Sequence, residues 1–291
     1  MGFLSWEFDR SVARILDQLR EEASAAASAP AAGGHGDAAN RCGGRQRLAT
    51  LPACVRRYLD CTGAAKLPRY KLVTVRQEGE FRFDPARPWQ PMSATQTASP
   101  LVPALVWSAS CRFKPLVGML GADWRAAGRG GLDWRLWGWL PAVAESGPGP
   151  LDAAMLARWL AETPGFPAAM LPSRWLTWEA VPGASNEARA VVAHAGWTAS
   201  GIFSFDGDGL VTSFRSDDYF RPGDQVEAGQ PRRRWVVRYR EHRHLPVVNP
   251  GSGTTSGRRM LVPTEADASW VAAGGGEEAY VRFRIQELKA E

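Results

Sequence analysis

The sequence predicts an α+β fold that is mostly antiparallel β: a curved sheet or half-barrel of about eleven strands covered by two or three helices. Three observations predict it. From Tyr70 onward apolar residues recur with period two through most of the chain. The runs are joined by short connections rich in Gly, Pro and Asp, which make sequential strands antiparallel neighbours. One strong helical pattern, Leu151–Glu162, interrupts the strands and supplies a cover for a sheet whose edges need protection.

The N-terminal stretch, residues 1–22, reads as an amphipathic helix, with Leu4, Phe8, Val12, Ile15 and Leu19 on one face. Its polar face mixes Asp9, Arg14, Asp17 and Arg20, so packing on the domain or on a protein partner is expected rather than membrane binding. Residues 23–46 are rich in Ala, Ser and Gly and are expected to form a flexible linker carrying Cys42. Residues 47–291 are expected to form a single β-rich domain.

The domain opens with a short helix that has Pro52 at its first turn, Val55, Tyr58 and Leu59 on one face, and Gly63 as its stop. Leu72–Arg76 and Glu80–Phe83 flank Gly79 and suggest a hairpin; Pro91–Thr97, Ala104–Phe113, a run around Trp124, and Leu132–Leu136 follow. The Leu151–Glu162 helix has Asp152 in its first turn, favourable to the helix dipole, and Pro164-Gly165 at its end. A short turn, Phe166–Leu171, leads into Leu176–Val181, Ala188–His194, Trp197–Phe205, Leu210–Tyr219, Arg234–Glu241, Met260–Val271 and Ala279–Leu288. Asp206–Gly209 reads as a tight hairpin turn, and Pro246–Gly257 as a polar loop.

Composition excludes several classes. The net charge is +5, and 31 of the 35 basic residues are arginine. They are interspersed with 30 acids, so no nucleic-acid partner is expected. No stretch approaches 18 apolar residues and no signal peptide is visible, so neither a transmembrane segment nor secretion is expected. The four cysteines lack metal or redox spacing, and free thiols in the cytoplasm are expected. No cofactor is expected.

From about residue 51 to 288 the chain resembles an uncharacterised bacterial-type domain-of-unknown-function family. The resemblance is carried by Leu51-Pro52 with Val55–Leu59, Gly79–Phe81, Pro88-Trp89, Glu145–Pro148, Arg158–Glu162, Phe166-Pro167, Leu171–Ser173 and Trp178-Glu179. Phe203–Gly209, Asp218-Tyr219, Tyr239–Glu241 and Val262-Pro263 complete it. It implies no activity. The strand pattern is also distantly similar to that of lipoprotein-carrier half-barrels, in which a curved sheet cups apolar chains under helices. The chain departs from the family at 242–259, an apparent insertion, and in its N-terminal helix and linker.

Each candidate constellation has a plainer alternative. His242 and His244 have ligand-like spacing on a strand but no convincing third ligand. Asp206 and Asp208 begin a calcium-like loop whose later ligand positions fall on Leu210 and Asp217, so a turn is expected. Arg82, Arg135, Arg238, Arg240, Arg282 and Arg284 alternate with apolar residues; they either pair with acids on a solvated face or form a concave face for an anion. The Trp cluster (Trp107, Trp124, Trp134, Trp137, Trp139, Trp159) is read mostly as core, with a lined pocket as the alternative. The leading expectation is a non-enzymatic module that binds an amphipathic, lipid-like anionic ligand through Gln96, Trp107, Arg135, Arg158, Trp159 and Tyr239. The alternatives are an enzyme with a buried Asp218 as general base, and a scaffold tethered to a protein partner by the first helix.

Overall fold

The computed structural model describes residues 6–29, 48–114, 117–219, 233–272 and 274–291. Thirteen strands form one continuous antiparallel sheet: β1 (Val73–Phe81), β2 (Gln90–Ala98), β3 (Leu105–Lys114), β4 (Val117–Ala126), β5 (Arg129–Leu136), β6 (Leu140–Ser146), β7 (Leu176–Val181), β8 (Ala184–His194), β9 (Trp197–Phe205), β10 (Val211–Ser216), β11 (Trp235–Val248), β12 (Thr255–Val271) and β13 (Glu277–Ala290). Their spatial order is β6-β5-β4-β3-β2-β1-β13-β12-β11-β10-β9-β8-β7. The chain therefore meanders outward from the centre to one edge, crosses, and meanders back until β13 pairs with β1. The C-terminal Glu291 closes this junction by exchanging backbone hydrogen bonds with Leu72. The sheet stays open, because the edge strands β6 and β7 are not paired with each other.

The crossing is made by α3 (Pro150–Glu162). Pro150 begins it and Asp152 caps it, accepting from the Gly149 and Gly130 N–H groups. The helix touches β4 and β5 on one wing and β8 and β9 on the other, so it bridges the concave side. Leu151, Met155, Leu156, Trp159 and Leu160 are all buried, each worth about 1.5–3 kcal/mol in transfer terms. A second cover, α2 (Ala53–Thr62), packs on β8 and β12 and ends at Gly63, whose φ of +62° is the left-handed stop glycine permits.

The first helix, α1 (Trp6–Ser28), lies on the opposite, convex face over β3 and β4. Leu19 and Ala23 are buried there with Val102, Ala104, Val106 and Ala126. Period two explains this double cover: Val106 points to α1 while Trp107 points to the concave core. The helix is longer than the sequence suggested, taking in Ala23–Ser28 from the expected linker; residues 30–46 of that linker, with Cys42, lie outside the described residues. Cys54, Cys61 and Cys111 are free thiols.

Three local expectations are corrected. The hairpin at Gly79 is absent, because β1 runs straight through it. Gly79 instead lets β13 approach, since a Cβ there would lie 2.0 Å from the Arg282 carbonyl oxygen. The expected 246–257 loop is strand at both ends: β11 and β12 pair from Trp235↔Trp270 out to Val248↔Thr255, leaving residues 249–254 as the turn between them. The strand β6 was unanticipated; every residue in it is exposed, so it carries no apolar alternation to read.

Candidate functional site

Between the concave face and the end of α3 lies a cavity of about 390 Å³, within the usual range for small-molecule sites. Inward residues of β1–β6 and β11–β13 wall it, and small side chains make the room: Ala266 and Ala268 on β12, and Ala161 on α3. On β4, Gly121 admits the Trp134 indole flat against the backbone, since a Cβ there would meet the ring at 2.3 Å. Phe83, Pro85, Ala142 and Val143 line its outer part. Phe83 and Val143 are exposed, so the apolar lining reaches the surface.

The walls are aromatic. Trp107 and Trp134 sit with ring centres 5.9 Å apart, and Phe81 lies 5.3 Å from Trp134. Across the cavity, Tyr219 stacks on Trp270 at 5.5 Å and Trp270 on Tyr280 at 6.0 Å. Buried polar tips are tethered, as buried donors must be. Trp107 donates to Gln77 (2.9 Å), Trp134 to Asp123 (2.9 Å), Trp235 to the Tyr280 hydroxyl (3.0 Å), and Tyr239 to the Ala161 carbonyl (2.5 Å).

At the cavity's inner end is a charged centre. Arg158, projecting from α3, pairs with Asp123 of β4 and stands 4.7 Å over the Trp107 ring. Its Nε is 3.8 Å from Glu162, one turn along the helix. Burial alone would pull the Arg158 guanidinium down, but Asp123, Tyr219 and Glu162 together hold it above its ordinary value. Burial raises the Glu162 carboxyl, against the opposing pull of Arg158 and a hydrogen bond from Gln96. Burial likewise raises the Tyr219 hydroxyl to about 12. Gln96 is 3% exposed and lines the cavity, and its Oε1 is buried without a hydrogen-bond partner.

The structure brings together four of the six residues singled out from sequence: Gln96, Trp107, Arg158 and Tyr239 all line the cavity. Trp159 is buried beside Phe166, donates to the Ser99 carbonyl at 3.2 Å, and faces away from the cavity. Arg135 is on the convex face, bonded to Asp133 and 6.0 Å from the Phe8 ring of α1. Period two dictates this, because Trp134 takes the inward position. The arginine rows form no anion-binding face. Arg240 pairs with Asp267, Arg282 with Glu80 and Arg284 with Glu265 across neighbouring strands, and Arg238 reaches over β12 to Glu277, while Arg82 donates to the Ala279 and Pro85 carbonyls. Trp137 and Trp139 are about half exposed and stack on each other at 6.4 Å outside the core.

Asp218 is half-buried, accepts from the Ser200 amide (2.7 Å) and hydroxyl (3.2 Å), and does not line the cavity. It fixes a strand end and is not placed as a general base there. Among the described residues no cluster of His, Cys, Asp and Glu could hold a metal ion, and Asp206 closes a turn by accepting from Leu210. No helix among them is long and apolar enough to cross a membrane. Asp123, Gln77 and Glu162 were missed as site residues. The available signal was register: Met119, Gly121 and Asp123 share the face that Trp134 fills from β5.

These features define the class of protein: an open antiparallel half-barrel with an aromatic-lined cavity held under a crossing helix. The chain belongs to the family of unknown function DUF6920, which it matches over residues 49–289. No curated protein matches it. Among solved structures it is similar to a DUF1329 family protein from Desulfovibrio piger, with 8% identity and a TM-score of 0.34 over 83% of this chain and 94% of that one. It is also similar to a putative outer membrane lipoprotein-sorting protein domain from Vibrio parahaemolyticus, with 8% identity and a TM-score of 0.36 over 81% and 93%.

Proposed function

We propose that the protein is a binding module for an amphipathic, lipid-like molecule whose apolar body occupies the cavity under α3. The observation that carries this is the cavity itself: about 390 Å³, walled by aromatic side chains, with apolar lining continuous to the surface. A domain selected only for stability would fill such a space, because each unfilled volume costs dispersion contacts and stability. We also propose a reducing compartment such as the cytoplasm, where Cys54, Cys61 and Cys111, the cysteines among the described residues, would stay free thiols.

The test is titration with the neutral fluorescent probe phenylnaphthylamine, beside mass spectrometry of gently purified protein. Wild-type protein is expected to bind the probe at one site and to carry lipid from cell extract. Ala268→Phe, which places a ring in the cavity, is expected to abolish both while the fold survives by circular dichroism. Probe binding equal in wild type and variant, with no co-purified lipid, overturns the proposal.

A further inference from the structure

The charged centre restricts what kind of head group the cavity takes. Four residues at its inner end bear on the question: Asp123, Arg158, Glu162 and Gln96. Arg158 is the one cation among them, and it is already committed to Asp123 and Glu162 and stacked over Trp107. An anionic head would have to displace a buried carboxylate from it and would face a second carboxylate, Glu162. Truncating or displacing one partner of a buried ion pair leaves the other uncompensated, at a cost of several kcal/mol. What Gln96 Oε1 lacks is a hydrogen-bond donor. Gln96 lies near the Glu162 carboxyl, and its Oε1 is buried at the cavity wall without a hydrogen-bond partner. A buried amide oxygen left unsatisfied is destabilising, so a group that donates to it is favoured.

We infer that the ligand enters the cavity with a hydrogen-bond-donor head, a hydroxyl or an ammonium, that donates to Gln96 Oε1 beside the Glu162 carboxylate, and that anionic heads are disfavoured. This rests on the binding reading above and names the ligand class for the same cavity. The two head groups differ in one respect. An ammonium needs Glu162 as an anion, whereas a hydroxyl needs only Gln96.

The test compares dodecanol, dodecylamine and dodecanoate as displacers of phenylnaphthylamine, so that chain length is constant and only the head changes. The alcohol or the amine is expected to bind roughly tenfold or more tightly than the carboxylate, the equivalent of one hydrogen bond to a buried polar group. Gln96→Leu, close in volume, is expected to erase that preference, read as the ratio of alcohol to carboxylate affinity within the variant. Glu162→Gln is expected to weaken the amine and spare the alcohol; the opposite ranking of these two heads in wild type and variant identifies which donor the site prefers. Dodecanoate binding as tightly as the other two, with intact probe binding, overturns the head-group inference and leaves the cavity reading standing. Failure of the probe and of all three chains overturns both.

Discussion

The concave side of this sheet is treated differently on its two wings. Over β8–β10 the inward positions carry Phe203, Phe205 and Phe214, with centroids 4.7 and 6.5 Å from Phe203 to its two neighbours, and Tyr58 of α2 packs on Phe205 at 5.8 Å. Over β1 and β11–β13 the inward positions hold Val73, Val75, Val237, Ala266 and Ala268, and the space above them is the cavity. The same pleat, the same alternation and the same crossing helix therefore give a packed core on one side and a hollow on the other. The difference is side-chain volume at a handful of inward positions, together with α2, which packs chiefly on β8 of the filled wing and touches the hollow one at β12. On the proposed reading binding belongs to the hollow wing, and the filled wing contributes stability alone.

Substitutions at the charged centre break this comparison hardest. Arg158→Ala strands Asp123 in the cavity wall and is expected to cost about 3–5 kcal/mol in urea unfolding. Replacing both partners, as Arg158→Met with Asp123→Leu, is expected to recover only part of that loss, because the pair's desolvation cost is removed with it while the Trp134 indole N–H and Glu162 lose a partner. On the filled wing, Phe203→Ala is expected to cost a similar amount, about 3–5 kcal/mol, yet leave phenylnaphthylamine affinity unchanged under conditions where the variant remains folded. A large loss of probe affinity in Phe203→Ala would show that the wings are not independent.

The seam where the wings meet makes a pH prediction. Arg125, fully buried on β4, donates to the Pro103, Asp152 and His194 carbonyls and to His194 Nδ1. Because a guanidinium only donates, that Nδ1 carries no proton and the imidazole is neutral. Burial, with Arg125 and Arg174, takes His194 down to about 4. Burial also raises Glu22 of α1, which lies 3.5 Å from Nε2. That contact therefore sets a neutral ring beside the Glu22 carboxyl and is not an ion pair. A histidine depressed in the folded state costs stability as pH falls below its ordinary 6.5, and the cost grows until pH passes about 4. Its size is on the order of 3 kcal/mol, partly offset by Glu22, which takes up its proton earlier when folded. His194→Asn is expected to flatten the acid limb of the stability curve across that window. An unchanged acid limb would mean that the seam opens before His194 titrates.

Much of the sheet was legible because half-buried strands alternate. Leu176–Val181 and Trp197–Phe205 agree with the observed β7 and β9 end to end, and α3 was plain from its apolar stripe and its Pro-Gly stop. What was illegible had physical causes. β6 has no buried face. Gly79 marks close strand approach as readily as a turn, and Gly- and Thr-rich sequence can pair when its partner strand is long enough, as β11 is. The candidate site was half-legible. Arg158 and Trp107 could be picked out by residue type, but Asp123 became visible only once β4 was in register with β5. Arg135 was misplaced because an arginine stripe does not say which face of a sheet is concave.

Ala268→Phe is the gentler perturbation. A ring entering existing space adds burial and few clashes, so its expected effect on unfolding is about 1 kcal/mol or less in either direction, set against complete loss of probe binding. A large destabilisation would mean that the cavity is already as tightly packed as the filled wing, and would remove the contrast between them.

The smallest expected effect sharpens the boundary of the hollow wing. Trp139 is 49% exposed and stacks only on the similarly exposed Trp137 among its described ring contacts, beside a strand with no buried residue. It is not among the residues lining the cavity. Trp139→Ser should therefore change stability by no more than about 0.5 kcal/mol and leave the affinities for dodecanol and phenylnaphthylamine where they are. The inner cavity wall on this side is made by Trp134, whose indole is held at both ends, flat on Gly121 and bonded to Asp123, while Ala142 and Val143 of β6 line only the outer part. Weakened binding in Trp139→Ser would mean that the β5–β6 hairpin moves with the ligand. Its turn would then belong to the binding unit together with Ala142 and Val143.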